Sequence, residues 1–434
     1  MRTVRIYTLI CLLSLAGFLS QRVTLGQNEN SCHYSIIESG NEWQLLREGK
    51  PFYIKGAVGW AHFDVLKSCG GNAVRARASK RNLDRAWEYK LLVMAGLPVR
   101  GERDGMDWGD QSMVTEQKRR VLEIVEQFKD HPAVMIWAVG NELDWIPPGR
   151  PHHPELWNRL NDLAVEIKKI DPHHPVLTVV GTGRFDKKIQ QIAKYCTDFD
   201  LLGINTYGDM SKVVALASEH WAKPFVIAEW GPTGHWQVPK TPWRVPIEQT
   251  STEKAQAIFR RYTNTILPNR DRCLGSFVFL WAQKQETTHT WYGMFRDGLR
   301  TESVDVMEYL WSGSWPENRA PAVLDLRISD FPDKDITLEP NKIYQSHVVC
   351  YDGDYDALVF EWDIRPEVEI PANSYAGGME KPAKPIPGLI EVGQGSRMNF
   401  TSPETEGPYR LFVQITDGHG SAGYVNLPFY VKSQ

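Results

Sequence analysis

Between residues 51 and 314 short apolar runs alternate with stretches of helical periodicity, and the alternation repeats eight times. The runs are 52–57, 72–75, 97–100, 133–139, 176–180, 201–205, 225–228 and 275–281. Val121, Ile124, Val125 and Phe128 recur at helical spacing before the fourth run, and Leu156, Leu160, Leu163, Ala164 and Ile167 before the fifth. Pro154 suits the first turn of the latter helix, and a last helical pattern spans 303–311. Eight strand–helix units in one stretch predict an α/β chain closed into a (β/α)8 barrel. An open doubly wound sheet is the rival, but no glycine-rich phosphate loop follows an early strand, and Gly70-Gly71-Asn72 precedes its strand.

The pattern changes at Trp315-Pro316-Glu317-Asn318-Arg319-Ala320-Pro321, which reads as a linker. Beyond it, alternating segments at 344–350, 358–364, 409–416 and 424–431 are separated by turn clusters such as Asp352-Gly353-Asp354 and Asp417-Gly418-His419-Gly420. Residues 321–434 therefore predict a C-terminal β-sandwich domain, with 374–388 as a long loop. At the other end, Arg2 and Arg5 precede an apolar run over 6–19, and Thr24-Leu25-Gly26 offers small residues near a cleavage point. Residues 1–26 read as a signal peptide, which implies a secreted or periplasmic protein; an uncleaved anchor is the alternative. No other segment is long and apolar enough to span a bilayer, so the mature chain is expected to have no membrane span. Residues 27–50, with alternation around Trp43 and Leu45 and then Glu48-Gly49, predict an N-terminal hairpin under the barrel.

A net charge of -4 gives no footing for a nucleic-acid partner. Five cysteines lie outside the signal, without the paired spacing of a zinc site or disulfide framework, and read mostly as small core residues. The pairs His152-His153 and His173-His174 adjoin prolines in loops, and neither a metal nor a cofactor is expected.

In a barrel of this kind chemistry sits at the C-terminal ends of the strands. The fourth run ends in Gly140-Asn141-Glu142, and the seventh in Ala228-Glu229-Trp230-Gly231. Ionised glutamate is rarely buried unless paired, so two such ends in matching contexts point to function. Paired carboxylates suit glycoside hydrolysis, one protonating the leaving oxygen and the other stabilising or attacking the anomeric carbon.

With those residues placed, the barrel resembles the clan A glycoside hydrolases, above all the catalytic domain of the family 2 β-galactosidase and β-glucuronidase group. Gly49-Lys50-Pro51-Phe52-Tyr53-Ile54-Lys55-Gly56 is similar to its first strand, Gly71-Asn72-Ala73-Val74-Arg75 to its second, Trp137-Ala138-Val139-Gly140-Asn141-Glu142 to its acid/base strand and Ala228-Glu229-Trp230-Gly231 to its nucleophile strand. The resemblance implies a retaining mechanism with Glu142 as acid/base and Glu229 as nucleophile. It further implies that Asn141 bonds the sugar 2-hydroxyl and that Arg75 holds Glu229 ionised, with Arg77 able to share that role. Tyr207 would contact the nucleophile, and Trp281 would form the floor under the sugar, with Trp230 also on the substrate side. With barely 25 residues between the expected signal and the first strand, the sandwich domains that precede the barrel in that group are not expected here, so galactosidase or glucuronidase specificity does not carry over. The polar, aromatic loop with Gln283, Lys284, Gln285, Glu286, His289 and Trp291 reads as solvated, with subsites as the alternative. The C-terminal segment resembles immunoglobulin-like or polycystic-kidney-disease-like repeats, and its clustered Asp residues read as turn formers before calcium ligands.

The expected function is a secreted retaining glycosidase acting on a β-glycan or its oligosaccharides. A transglycosylase and a non-catalytic carbohydrate-binding protein stay open.

Overall fold

The computed structural model describes residues 33–40, 42–145, 152–332, 335–368, 380–391 and 395–433. The expected signal peptide, Cys11, Cys32 and the first part of the expected loop, 374–379, lie outside the described residues. No described helix is long and apolar enough to cross a membrane.

Eight parallel strands close into a barrel: Ile54–Val58, Ala73–Arg77, Leu92–Leu97, Val134–Val139, Val176–Val180, Leu201–Asn205, Phe225–Trp230 and Cys273–Phe279, called strands one to eight. A helix follows each, from Phe63–Ser68 after strand one to Glu302–Ser312 after strand eight. Strand pleat sorts the side chains into two layers. In strand three Leu92 and Met94 face the barrel interior, while Val93, Ala95 and Leu97 pack under the helices. Gly56 is obligatory in strand one, because a Cβ there would lie 2.4 Å from the Phe277 ring that fills the interior.

Strand three lies earlier than the sequence predicts, at Leu92–Leu97 instead of 97–100. The helix Lys80–Glu88 ends only four residues before it, and Lys90 turns the chain with φ 56°. Pro98 closes this strand; it does not sit inside it.

The hairpin Tyr34–Ser39/Glu42–Arg47 stoppers the N-terminal mouth. Tyr34 and Leu45 join the interior core, Tyr34 N–H donates to the His173 carbonyl and Trp43 N–H to that of Asp271, both just ahead of barrel strands. The opposite mouth is left for the site.

Beyond the linker, a three-stranded sheet (Ala322–Ile328, Ile343–Tyr351, Arg397–Thr401) faces a four-stranded one (Ile336–Leu338, Val359–Pro366, Gly407–Thr416, Ala422–Val431). Val323, Leu326, Val348 and Phe400 of the first share one core with Ile364, Leu411, Val413 and Phe429 of the second. Asp352 Oδ1 accepts from the N–H groups of Asp354 and Asp356, which is the turn that its spacing predicts.

Candidate active site

Strand four ends at Val139, and the chain then bends sharply. Gly140 has φ 73° and Glu142 φ 48°, a left-handed value that a glutamate seldom adopts. The bend is pinned by Glu142 N–H donating to the Val179 carbonyl at 2.8 Å. It is given room by Gly181, where a Cβ would stand 2.9 Å from the Glu142 carboxyl carbon. A strained residue held by its surroundings is a functional candidate on that ground alone.

Glu229 reaches the same mouth by a different device. Val226 and Ala228 face the interior, and Ile227 the helices, so strict alternation would send Glu229 outward. The register against strand six slips after Ile227, so that Glu229 comes opposite Asn205, and the register against strand eight slips between Ile227 and Trp230. A bulge of this kind re-aims a side chain. It brings the Glu229 carboxylate to the cleft and leaves Trp230 on the helix side.

Arg75, in the middle of strand two, joins the parts. Its Nη1 donates to Glu229 Oε2 at 3.2 Å, to Asn205 Oδ1 at 3.1 Å and to the Ala228 carbonyl at 3.0 Å, and its Nη2 to Asn141 Oδ1 at 2.5 Å. Asn205 Nδ2 donates in turn to Glu142 Oε1 at 2.6 Å and to Asn141 Oδ1 at 3.0 Å. The two carboxylates are thus the ends of one chain of hydrogen bonds through Arg75 and Asn205. The Tyr207 hydroxyl donates to Glu229 Oε1 at 2.8 Å, and Arg103 Nη2 to the Asn141 carbonyl at 2.9 Å.

Burial pushes Glu229 above the usual carboxylate range; the Arg75 guanidinium and the Tyr207 hydrogen bond pull it down, while the Glu142 charge pushes it up again. Arg75 therefore favours the ionised form without outweighing the burial, whereas the resemblance implies that it holds Glu229 ionised. Burial, and then the Glu229 charge, raise Tyr207 well above its ordinary value, so it stays a donor.

Of the residues that the sequence analysis placed at the site, Arg75, Asn141, Glu142, Tyr207 and Glu229 come together. Arg77 ends strand two exposed to solvent. Trp230 and Trp281 are not in the cleft. Both are 0% exposed. Trp230 packs 5.9 Å from the Tyr262 ring, while Trp281 lies between Phe295 and Trp311 with its indole N–H donating to the His62 carbonyl. The half-buried ring at the end of strand eight is Phe279, flanked by Tyr207 at 6.4 Å and Tyr292 at 5.4 Å.

The loop after strand eight is also a correction. It reads as solvated, yet Glu286, Thr288, His289, Trp291 and Tyr292 are buried between the barrel and the C-terminal sheets. The His289 ring lies 4.6 Å from Phe412, and Thr287 N–H donates to Glu380. Burial raises Glu286, but His235 and Lys284 outweigh it, leaving the group below the usual carboxylate range. Its charge faces Glu229 and Tyr207. Asn205 and Arg103 were missed for a simple reason: each is one polar residue near a strand end, and only closure of the barrel brings them to Glu142 and Asn141.

Residues 102–299 match the family described as glycosyl hydrolases family 2, TIM barrel domain. The β-glucuronidase of Chlorocebus aethiops is 25% identical over 218 residues, which are 44% of this chain and 32% of that protein. A putative β-glucuronidase of Formosa agariphila is 31% identical over 113 residues, 24% of this chain and 13% of that protein. The chain thus spans a third or less of the length of these relatives. The crystal structure of Bacteroides uniformis β-glucuronidase aligns over 92% of this chain and 48% of its own, with a TM-score of 0.48 and 13% identity. The barrel is similar to the TIM barrel domain of glycoside hydrolase family 2.

Proposed function

We propose that this chain is a retaining glycoside hydrolase that cleaves β-glycosidic bonds of a polysaccharide or oligosaccharide by double displacement. One observation carries the reading: Glu142 and Glu229, on strands four and seven, end a single hydrogen-bond chain through Asn205 and Arg75. Glu229 attacks the anomeric carbon, and the C–O bond to the leaving group breaks as Glu142 delivers its proton to that oxygen. Glu142 then takes a proton from water, which displaces Glu229 from the sugar with a second inversion. Tyr207 and Arg75 hold the Glu229 oxygens, so that little reorganisation accompanies attack. Asn141, fixed by Arg75 and Asn205, presents its amide to the sugar 2-hydroxyl.

The same reading includes export, on the sequence pattern of Arg2 and Arg5 ahead of the apolar run over 6–19. Residues 1–26 act as the export signal, and N-terminal sequencing of the secreted protein tests this.

Azide rescue tests the mechanism without knowledge of the sugar. On an activated aryl glycoside found by a chromogenic panel, Glu229→Ala with azide yields a glycosyl azide of inverted configuration. Glu142→Ala with azide yields one of retained configuration. Exchange of the two outcomes would exchange the two roles, and wild-type activity in both variants would end the proposal.

A further inference from the structure

Four tryptophans among the described residues are exposed: Trp60 at 56%, Trp145 at 37%, Trp236 at 47% and Trp315 at 41%. Trp315, in the linker, is accounted for by its neighbours, stacked 4.4 Å from the Tyr309 ring and 3.9 Å from the Arg319 guanidinium. The other three follow the C-terminal ends of strands one, four and seven, all at the mouth that holds the two carboxylates. Aromatic rings cluster on one side of that mouth. The edge of Trp236 meets the Tyr207 ring at 5.6 Å and 86°, and Tyr207 in turn touches Glu229. Trp60 stands between Val58 and Ala61 in sequence, and these pack with Tyr207, Tyr292 and Phe279. Among the described residues Trp60 stacks on no ring or cation.

The Trp236 ring is held in place. Gln237 Oε1 accepts from the N–H groups of Gly208 at 2.8 Å and Gly234 at 3.2 Å, and a Cβ on Gly234 would strike the indole at 2.7 Å. An indole left half in water loses the burial it would gain in a core, so two exposed indoles at the mouth, one of them braced, fit a ligand that covers them. The Arg75, Asn141, Glu142 and Asn205 side of the mouth supplies hydrogen bonds, and the Tyr207, Phe279, Trp60 and Trp236 side supplies flat apolar surface. A pyranose has that division, with C–H groups on its face and hydroxyls on its rim.

We propose that Trp60 and Trp236 form an aromatic platform for the sugar units adjoining the one that Glu229 attacks, so that the substrate is a β-linked chain continuing past the cleaved unit. This rests on the glycosidase reading. The full chain is compared with Trp60→Ala, Trp236→Ala, the double variant, the two Trp→Phe variants and Trp315→Ala. Substrates are β-linked tetrasaccharides of glucose, xylose, mannose, galactose and N-acetylglucosamine and the matching nitrophenyl monosaccharides. Tetrasaccharide binding is followed by calorimetry in a Glu229→Gln background. On the tetrasaccharide that the wild type turns over best, the double variant loses about tenfold more kcat/KM than on the matching monosaccharide, the Phe variants recover most of it, and Trp315→Ala follows wild type. Equal losses on both substrates, or none, overturn the platform and leave the glycosidase reading standing. Binding that weakens in the Trp variants without any turnover by the wild type retains the platform and removes the catalysis. A wild type that neither binds nor cleaves any of the tetrasaccharides overturns the platform, and one that also turns over none of the nitrophenyl glycosides overturns both.

Discussion

Asn205 Nδ2 lies 2.6 Å from Glu142 Oε1, and the same amide nitrogen is 3.0 Å from Asn141 Oδ1. One side chain on strand six therefore braces the whole bend after strand four, whose Glu142 carries φ 48°. Asn205→Ala should leave the fold intact and lower kcat by about 10–100-fold, the scale of a misplaced catalytic group. The loss should be larger on glycosides with poor leaving groups, which depend on the proton from Glu142, than on activated aryl glycosides. Equal losses on both would deny Asn205 its positioning role.

The pH dependence follows from Glu229. In the proposed mechanism attack requires its ionised form, so activity should fall as pH drops through its folded-state pKa, which burial raises above the ordinary value. Arg75 opposes the rise. Arg75→Met should therefore move the acid limb of kcat/KM to higher pH, and the loss should be deeper in mildly acidic than in mildly alkaline buffer. The stability sign is the reverse of that for a paired surface carboxylate. With the folded pKa above the unfolded one, Glu229 removes stability as pH rises through that interval. Glu229→Gln should raise Tm at neutral pH, by an amount that vanishes well below pH ~4. An unmoved acid limb in Arg75→Met, or a lower neutral Tm in Glu229→Gln, would contradict this.

Strands five and six were legible to the residue, because Val176–Val180 and Leu201–Asn205 are mostly apolar runs bounded by Pro175 and Gly181 and by Asp200 and Thr206. Strand three was not, since Leu92–Leu97 contains Met, Ala and Gly and follows its helix almost without a loop. Glu142 and Glu229 were legible from strand-end position and residue type. The surroundings of Glu229 were not, because the bulge after Ile227 inverts the pleat, so Trp230 beside it goes to the other layer. Nor does a pattern of polar residues reveal that the strand-eight loop is buried, since what covers it arrives from Phe412 and Glu380, about a hundred residues later.

The reassigned floor can be checked directly. Trp281 is a core residue between Phe295 and Trp311, and Trp281→Ala should cost about 3–5 kcal/mol of stability. Phe279→Ala removes a half-buried ring at the cleft and should instead raise KM and lower kcat with a smaller change in Tm. Thermal denaturation beside steady-state kinetics separates the two. A Trp281→Ala protein as stable as wild type but with a raised KM would return Trp281 to the floor.

The barrel and the C-terminal sheets meet over buried charge, which bears on whether the barrel can work alone. Glu248 and Lys254 form an ion pair with side chains 0% and 3% exposed. Burial raises Glu248, but Lys254 and Arg410 outweigh it and hold the group below the usual carboxylate range. Asn426 of the C-terminal sheet donates to Glu248 Oε2 at 2.7 Å, the Tyr424 ring lies 4.8 Å from Lys254 Nζ, and Arg410 donates to the Pro246 carbonyl at 3.0 Å. Glu142 and Glu229 belong to the barrel, so the proposed chemistry should not need residues 321–434. Their removal nevertheless strips partners from an ion pair built to be dry. A chain ending after Ser314 should unfold at a markedly lower temperature, and whatever fraction stays folded should still turn over a small aryl glycoside. A double-mutant cycle gives the quantitative form. Lys254→Met alone leaves Glu248 buried without its cation and should cost about 3–5 kcal/mol, whereas Lys254→Met with Glu248→Leu should recover most of that loss. Additive losses in the cycle would mean that the two residues act independently and that their ion pair does not stabilise the interface.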